Sequence, residues 1–204
     1  MRADEIGESI RSYLGMTLRP VGVKIHTGDV NHLARPKEPM WYCHAIRESA
    51  KGRDILMRQG DEACKVAEIV LGFREPKRAD IKHRITTRTQ AISIGPLQDA
   101  DQVIFILNPE RAMTMAVLLG GINSRITGQM SLCREITAEI ANGGEPRFSF
   151  LCKGARRHGE YGVEEIVLGM PYEVFLKLPE KMGRYSMLAH KAKAGLRQLF
   201  SGAR

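Results

Sequence analysis

The apolar residues of this chain form short runs, and this limits the folds open to it. The longest run, from Ala112 to Gly121, contains a threonine and falls well short of the roughly 20 residues that a membrane-spanning helix needs. Hydrophobic residues make up 43% and charged residues 26% of the 204-residue chain, proportions that exclude wholesale disorder. We therefore predict a folded protein with a sizeable core that does not enter the membrane.

The runs alternate between helical and strand-like spacing. Residues 3–14 carry apolar side chains every four positions, which predicts a helix. In residues 21–25 apolar side chains occupy every second position, which predicts a strand. Further helices are predicted over 41–58, 109–119 and 132–141, further strands over 91–94, 103–107, 148–152 and 165–168, and a basic glycine-containing loop over 153–162. No linker divides the chain. We predict one α+β domain over residues 1–204, with a mixed sheet, flanking helices and a C-terminal amphipathic helix.

Positive charge is concentrated near the C-terminus. Thirty-one Lys and Arg residues against 23 acidic ones give a net charge of +8, and the basic C-terminal helix is predicted over residues 184–200. This excess favours an acidic partner, such as a redox partner or a small anionic ligand. Nucleic acid is a less favoured partner, because aromatic residues for base stacking make up only 6% of the chain. The sequence does not determine the oligomeric state.

The first residues lack the features of a secretory signal. Asp4 and Glu5 stand where such a signal carries basic residues and an apolar segment. We therefore expect a cytoplasmic location, where cysteines remain reduced. The cysteines of such a protein are metal ligands, redox groups or buried thiols rather than disulfides.

The four cysteines are Cys43, Cys64, Cys133 and Cys152, and no pair forms a Cys-x-x-Cys motif. The first three fall at predicted helix starts, where unpaired backbone N–H groups favour a thiolate. Cys152 ends a predicted strand. Their spacing leaves three alternatives open: four separately buried thiols, a shared zinc or iron–sulfur site, and a thiol-dependent enzyme in which a histidine assists a cysteine.

Basic residues near the cysteines are candidates for neutralising a thiolate-ligated cluster. They include Lys65 and Arg134, which directly follow two of the cysteines. After Cys152, Lys153 and Gly154 open the predicted basic loop, and Arg156 with Arg157 offers guanidinium groups for an anionic ligand. We predict that Lys153, Gly154, Arg156 and Arg157 bind the cofactor or an acidic ligand.

Several short motifs occur in the order found in a known family. They are Arg19-Pro-Val-Gly-Val-Lys24, Cys43 to Gly52, Cys64 with Leu71-Gly72, Ile94-Gly-Pro-Leu97, Asp101-Gln-Val-Ile104, Asn108-Pro-Glu-Arg-Ala-Met113, Ser149-Phe-Leu-Cys152-Lys-Gly-Ala-Arg156, and Glu165 to Pro171. Together they resemble the uncharacterised ArCR family, domain of unknown function 169, over residues 14–182.

The resemblance implies that all four cysteines occupy positions where this family carries a cysteine. It therefore favours a shared four-cysteine site, with a 4Fe-4S cluster ahead of zinc. The resulting hypothesis is an iron–sulfur protein that acts in electron transfer or cofactor-related redox chemistry. The alternatives are a structural-zinc or metal-free module that binds an anionic partner, and a thiol-dependent enzyme.

Overall fold

The structure is a computed structural model that describes residues 1–77, 83–120 and 131–186. Six strands form its one described sheet: β1 (Val21–His26), β2 (Ile55–Arg58), β3 (Ala91–Gly95), β4 (Gln102–Leu107), β5 (Arg147–Ser149) and β6 (Ile166–Pro171). Their spatial order is β2-β3-β1-β4-β6-β5. Helices flank this sheet, so the predicted α+β class is confirmed.

The sheet is antiparallel rather than mixed. Every pair of neighbouring strands among the six runs antiparallel. The early strand β1 lies between β3 and β4 and opposes both of them. Local spacing predicts where strands lie, but it carries no information on their direction, and the expected mixed sheet was wrong for this reason.

The helices are α1 (Ala3–Tyr13), α2 (Tyr42–Ala50), α3 (Lys65–Val70), α4 (Pro109–Leu119), a π-helix (Leu132–Ala138) that continues as α5 (Glu139–Ala141), α6 (Lys153–His158) and α7 (Tyr172–Leu176). Residues 178–186 are also helical. Of the predicted C-terminal helix over 184–200, residues 187–200 lie outside the described residues. In the described part of the chain, no helix has the length and apolar character to cross a bilayer.

Two further predictions need correction. The predicted helix over 41–58 ends at Ala50, and its last four residues form strand β2 instead. Residues 153–158 of the predicted loop form helix α6. The reasons differ: pairing with β3, a tertiary contact, makes Ile55–Arg58 a strand, whereas a local cap by the Cys152 side chain begins α6.

The core has one apolar layer on each face of the sheet. Alternate residues of the central strands, such as Val23 and Ile104, pack beneath α2, α3 and the π-helix. The residues between them, such as Val103 and Phe105, pack beneath α1, α4 and α7. This alternation follows from the two-residue period of a strand, and it gives the molecule two faces with separate sites.

Candidate metal centre

All four cysteines line one cavity. Cys43, Cys64, Cys133 and Cys152 come from segments far apart in sequence, yet each contributes to the wall of the same pocket beside α2, α3 and the π-helix. The cavity has a volume of about 40 Å³. This exceeds the roughly 10–15 Å³ that one water molecule requires. All four residues are free thiols rather than disulfides.

Each cysteine lies at the beginning of a helix. Cys43 and Cys133 are the second residues of α2 and the π-helix, and Cys64 and Cys152 directly precede α3 and α6. The Cys152 Sγ accepts a hydrogen bond from the Ala155 N–H at 3.4 Å. The first N–H groups of a helix lack acceptors within it and can donate to a nearby side chain, as the Ala155 N–H does here. Such donors stabilise negative charge on sulfur.

Burial favours the protonated form of two of the four thiols, Cys43 and Cys133. Burial raises the pKa of the Cys43 thiol well above its usual value, and the nearby Glu62, Cys133 and Cys152 raise it further. Burial likewise raises the pKa of Cys133 to about 12, although the Ser131 hydroxyl, 3.2 Å from its sulfur, opposes this. A thiol that stays protonated is a poor nucleophile but still binds a metal that displaces its proton.

The sulfur atoms are spread more widely than a single ion requires. No three of the four, all of which are described, lie within 4.8 Å of one another. Tetrahedral zinc with Zn–S bonds of about 2.3 Å places its sulfurs about 3.8 Å apart. A 4Fe-4S cluster separates its ligands further, because four irons and four sulfides lie between them. The metal-free chain therefore does not hold the four sulfurs as close together as one zinc ion would.

Trp41 lines the cavity and is held in place by a second ring. The Trp41 ring stacks on the His158 ring with centroids 3.9 Å apart and an angle of 4° between the planes. A Cβ at Gly154 would lie 3.3 Å from the Trp41 ring, so the glycine allows α6 to approach closely. Gly154, predicted to bind a cofactor, thus packs against the wall of the site.

The predicted basic residues lie outside the cavity lining. The Arg156 guanidinium donates to the backbone carbonyls of Phe150 (2.9 Å), Glu165 (3.3 Å) and Gly162. Lys153 and Arg157 are exposed on α6. None of the described residues that line the cavity is a lysine or arginine. The Ala155 N–H donates to a cysteine sulfur there. Ligand binding by Lys153, Gly154, Arg156 and Arg157 stays a prediction.

Glu62 is a buried acid that sequence reasoning missed. It lines the cavity, and its carboxylate accepts hydrogen bonds from the Tyr42 N–H (2.9 Å) and the Cys64 N–H (2.7 Å). It thereby ties the start of α2 to the start of α3, two of the cysteine-bearing segments. Burial raises the pKa of Glu62 to about 7. An acidic residue two positions before a cysteine is the only sequence signal for this role.

We expect Glu62→Ala to destabilise the metal-free protein by about 2 kcal/mol, because two N–H groups lose their acceptor. The substitution also removes the unfavourable burial of the carboxylate, and this offsets part of the loss. Urea unfolding at pH 7 measures the change, and Glu38→Ala is the matched control because Glu38 is exposed. A Glu62→Ala protein as stable as the control would show that the carboxylate does not hold the two segments together.

A second group of potential metal ligands contains no cysteine. Donor atoms of His44, Glu48 and Glu160 lie within 4.8 Å of one another at the surface. The Lys51 Nζ lies 2.7 Å from Glu48 and 3.5 Å from Glu160. Lys51 pairs with both carboxylates, so this group is explained as a surface ion-pair network.

A family model described as uncharacterised ArCR, domain of unknown function 169, matches residues 9–90 and 78–181. The chain belongs to this family. The ArCR match includes all four cysteines and confirms the resemblance inferred from the motifs. Comparison with curated proteins and with solved structures finds no match.

Proposed function

We propose that this ArCR protein binds a 4Fe-4S cluster through Cys43, Cys64, Cys133 and Cys152, and that it acts in electron transfer or cofactor-related redox chemistry. One observation carries the proposal: four cysteines from distant segments line a single cavity, each at the start of a helix. Four thiolates are the usual ligand set of such a cluster.

The surroundings suit an anionic cluster. Apolar and aromatic side chains, including Trp41, Leu132 and Ala155, restrict access of water to the cavity. Backbone donors such as the Ala155 N–H stabilise negative charge on the sulfurs. Burial and hydrogen bonds to sulfur are two of the features by which a protein sets the reduction potential of a cluster.

The alternatives have less support. A structural zinc ion would require the sulfurs to move closer together than the metal-free chain holds them. A thiol-dependent enzyme needs a low-pKa cysteine, whereas the pKa values of the Cys43 and Cys133 thiols are raised. When bound, the cluster would supply one-electron transfer, and this chain would hold it and limit its exposure to solvent.

Anaerobic reconstitution with iron and sulfide tests the proposal. We expect about four irons and four sulfides per chain, as the cluster type requires. Trp41 is the single tryptophan of the chain and lines the cavity, so its fluorescence reports on the site alone. We expect that fluorescence to be quenched in step with iron uptake.

Trp41→Phe is the control for the optical signal. It should bind the same amount of iron and show no tryptophan fluorescence to be quenched. Reconstitution in parallel with zinc distinguishes the alternatives. A chain that takes up one zinc and no iron would contradict the cluster and support a structural ion. A chain that takes up neither metal would leave a metal-free module.

A further inference from the structure

A second cavity lies on the opposite face of the sheet from the cysteines. It has a volume of about 450 Å³, within the range of about 300–1,000 Å³ that is common for small-molecule sites. Its lining includes Lys24, His26, His32, Ser93 and Asp99, and it shares no residue with the cysteine cavity.

Ser93 is the centre of this site. It is a polar residue in β3, whose side chains are otherwise apolar, and it is only 4% exposed. Two imidazoles converge on its hydroxyl: the His26 Nε2 lies 2.8 Å and the His32 Nε2 3.2 Å from the Ser93 Oγ. A buried hydroxyl held between two histidines places several hydrogen-bonding groups at one point of the cavity wall.

The strand register adds a cation to this group. Lys24 of β1 pairs with Ser93 of β3, so both side chains face the same side of the sheet as His26. The Lys24 ammonium is 40% exposed, and its Nζ lies 3.7 Å from the Asp101 carboxylate. That carboxylate also accepts the Ile25 N–H at 2.7 Å, so it is already committed to the protein.

The surroundings of His26 favour its neutral form. Burial lowers its pKa most, and the nearby His32 and Lys24 lower it further, while Asp101 acts in the opposite direction. The other charged group of the lining, Asp99, is exposed at a turn. A negative ligand between Lys24 and the two imidazoles would reduce this repulsion and raise the pKa of His26.

We propose that this cavity binds the oxyanion group of a small molecule, a carboxylate or a phosphate, through Lys24, His26 and His32. Ser93 fixes both imidazoles so that their rings border the same space. The ammonium and the imidazoles supply the donors that such a group accepts. The site does not depend on the cysteines, because the two cavities share no residue.

Proton NMR of the histidine rings tests the proposal on the protein as purified. Sodium phosphate and sodium acetate are titrated in separate arms at constant ionic strength, which distinguishes the two oxyanions. We expect saturable shifts of the His26 and His32 resonances with at least one anion, together with a raised His26 pKa. Binding should strengthen as the pH falls, because the imidazolium is favoured beside an anion.

Lys24→Met and His26→Gln should each weaken binding about tenfold, the usual loss for one charge-assisted hydrogen bond. Lys177→Met, which removes an exposed lysine that directly follows α7 and does not line the cavity, should leave it unchanged. Lys24 is half-exposed, so its variant should fold even if His26→Gln does not. Unsaturable shifts shared by all six histidines, or unchanged binding in Lys24→Met, would overturn the proposal. Histidine shifts that Zn²⁺ produces but neither anion produces would also overturn the proposal.

Discussion

Replacing Gly22 by alanine is expected to abolish most of the stability of this fold. Gly22 lies in β1, where it pairs with Gly95 of β3 and Val103 of β4. The backbone of residues 96–97 passes directly over it. A Cβ at Gly22 would lie 2.7 Å from the Pro96 carbonyl carbon, closer still to its oxygen, and 3.0 Å from the Leu97 Cα. These are backbone atoms that no rotamer change can move away.

The expected loss exceeds about 3 kcal/mol in the free energy of unfolding, because the chain must separate two central strands to relieve the clash. Gly28→Ala is the matched control: a Cβ there meets nothing within 4 Å, so we expect a change within about 0.5 kcal/mol. Urea unfolding followed by circular dichroism measures both. Equal urea midpoints for the two variants would show that the backbone of residues 96–97 moves away from the new Cβ without loss of stability.

Single cysteine-to-serine variants are expected to lose most of the iron that the reconstituted protein binds. A serine hydroxyl is a weak substitute for a thiolate, and the chain has no fifth cysteine to replace the lost ligand. Iron and sulfide per chain, measured after anaerobic reconstitution, should fall well below half of the wild-type value in each variant.

The neighbouring residue Lys65 provides the control for this series. Its side chain is 78% exposed, so Lys65→Ala should bind iron as the wild type does. Folding of each metal-free serine variant is checked by urea unfolding, since Ser and Cys are nearly equal in size. A cysteine whose serine variant folds and still binds full iron is not a ligand, and two such cysteines would contradict a four-cysteine site.

Helix α4 shows what local sequence determines well. The Asn108 side chain accepts the Arg111 N–H at 2.9 Å, Pro109 occupies the first helical position, and Gly120 ends the helix with φ +129°. Each signal acts within a few residues, so the predicted bounds 109–119 match the structure. Strands β3 and β4 were predicted equally well from their apolar character.

Local signals were insufficient where tertiary contacts decide the outcome. Residues 55–58 have helical spacing but complete the edge of the sheet beside β3. The roles of Trp41 and Glu62 were not predicted, because one stacks on a residue of α6 and the other bridges two helix starts. Likewise, Arg156 carries the charge of a ligand-binding residue, yet it donates to three backbone carbonyls.

The sequence by itself determined the helix and strand segments with strong local signals, the position of Cys43, Cys64 and Cys133 at helix starts, and membership of the ArCR family. Only the tertiary structure decided the direction of the strands, the convergence of Cys43, Cys64, Cys133 and Cys152 on one cavity, and the grouping of His26 and His32 around Ser93 on the other face. Helix caps and strand alternation depend on neighbours a few residues away. Convergence depends on the pairing of strands far apart in sequence, which local rules do not specify.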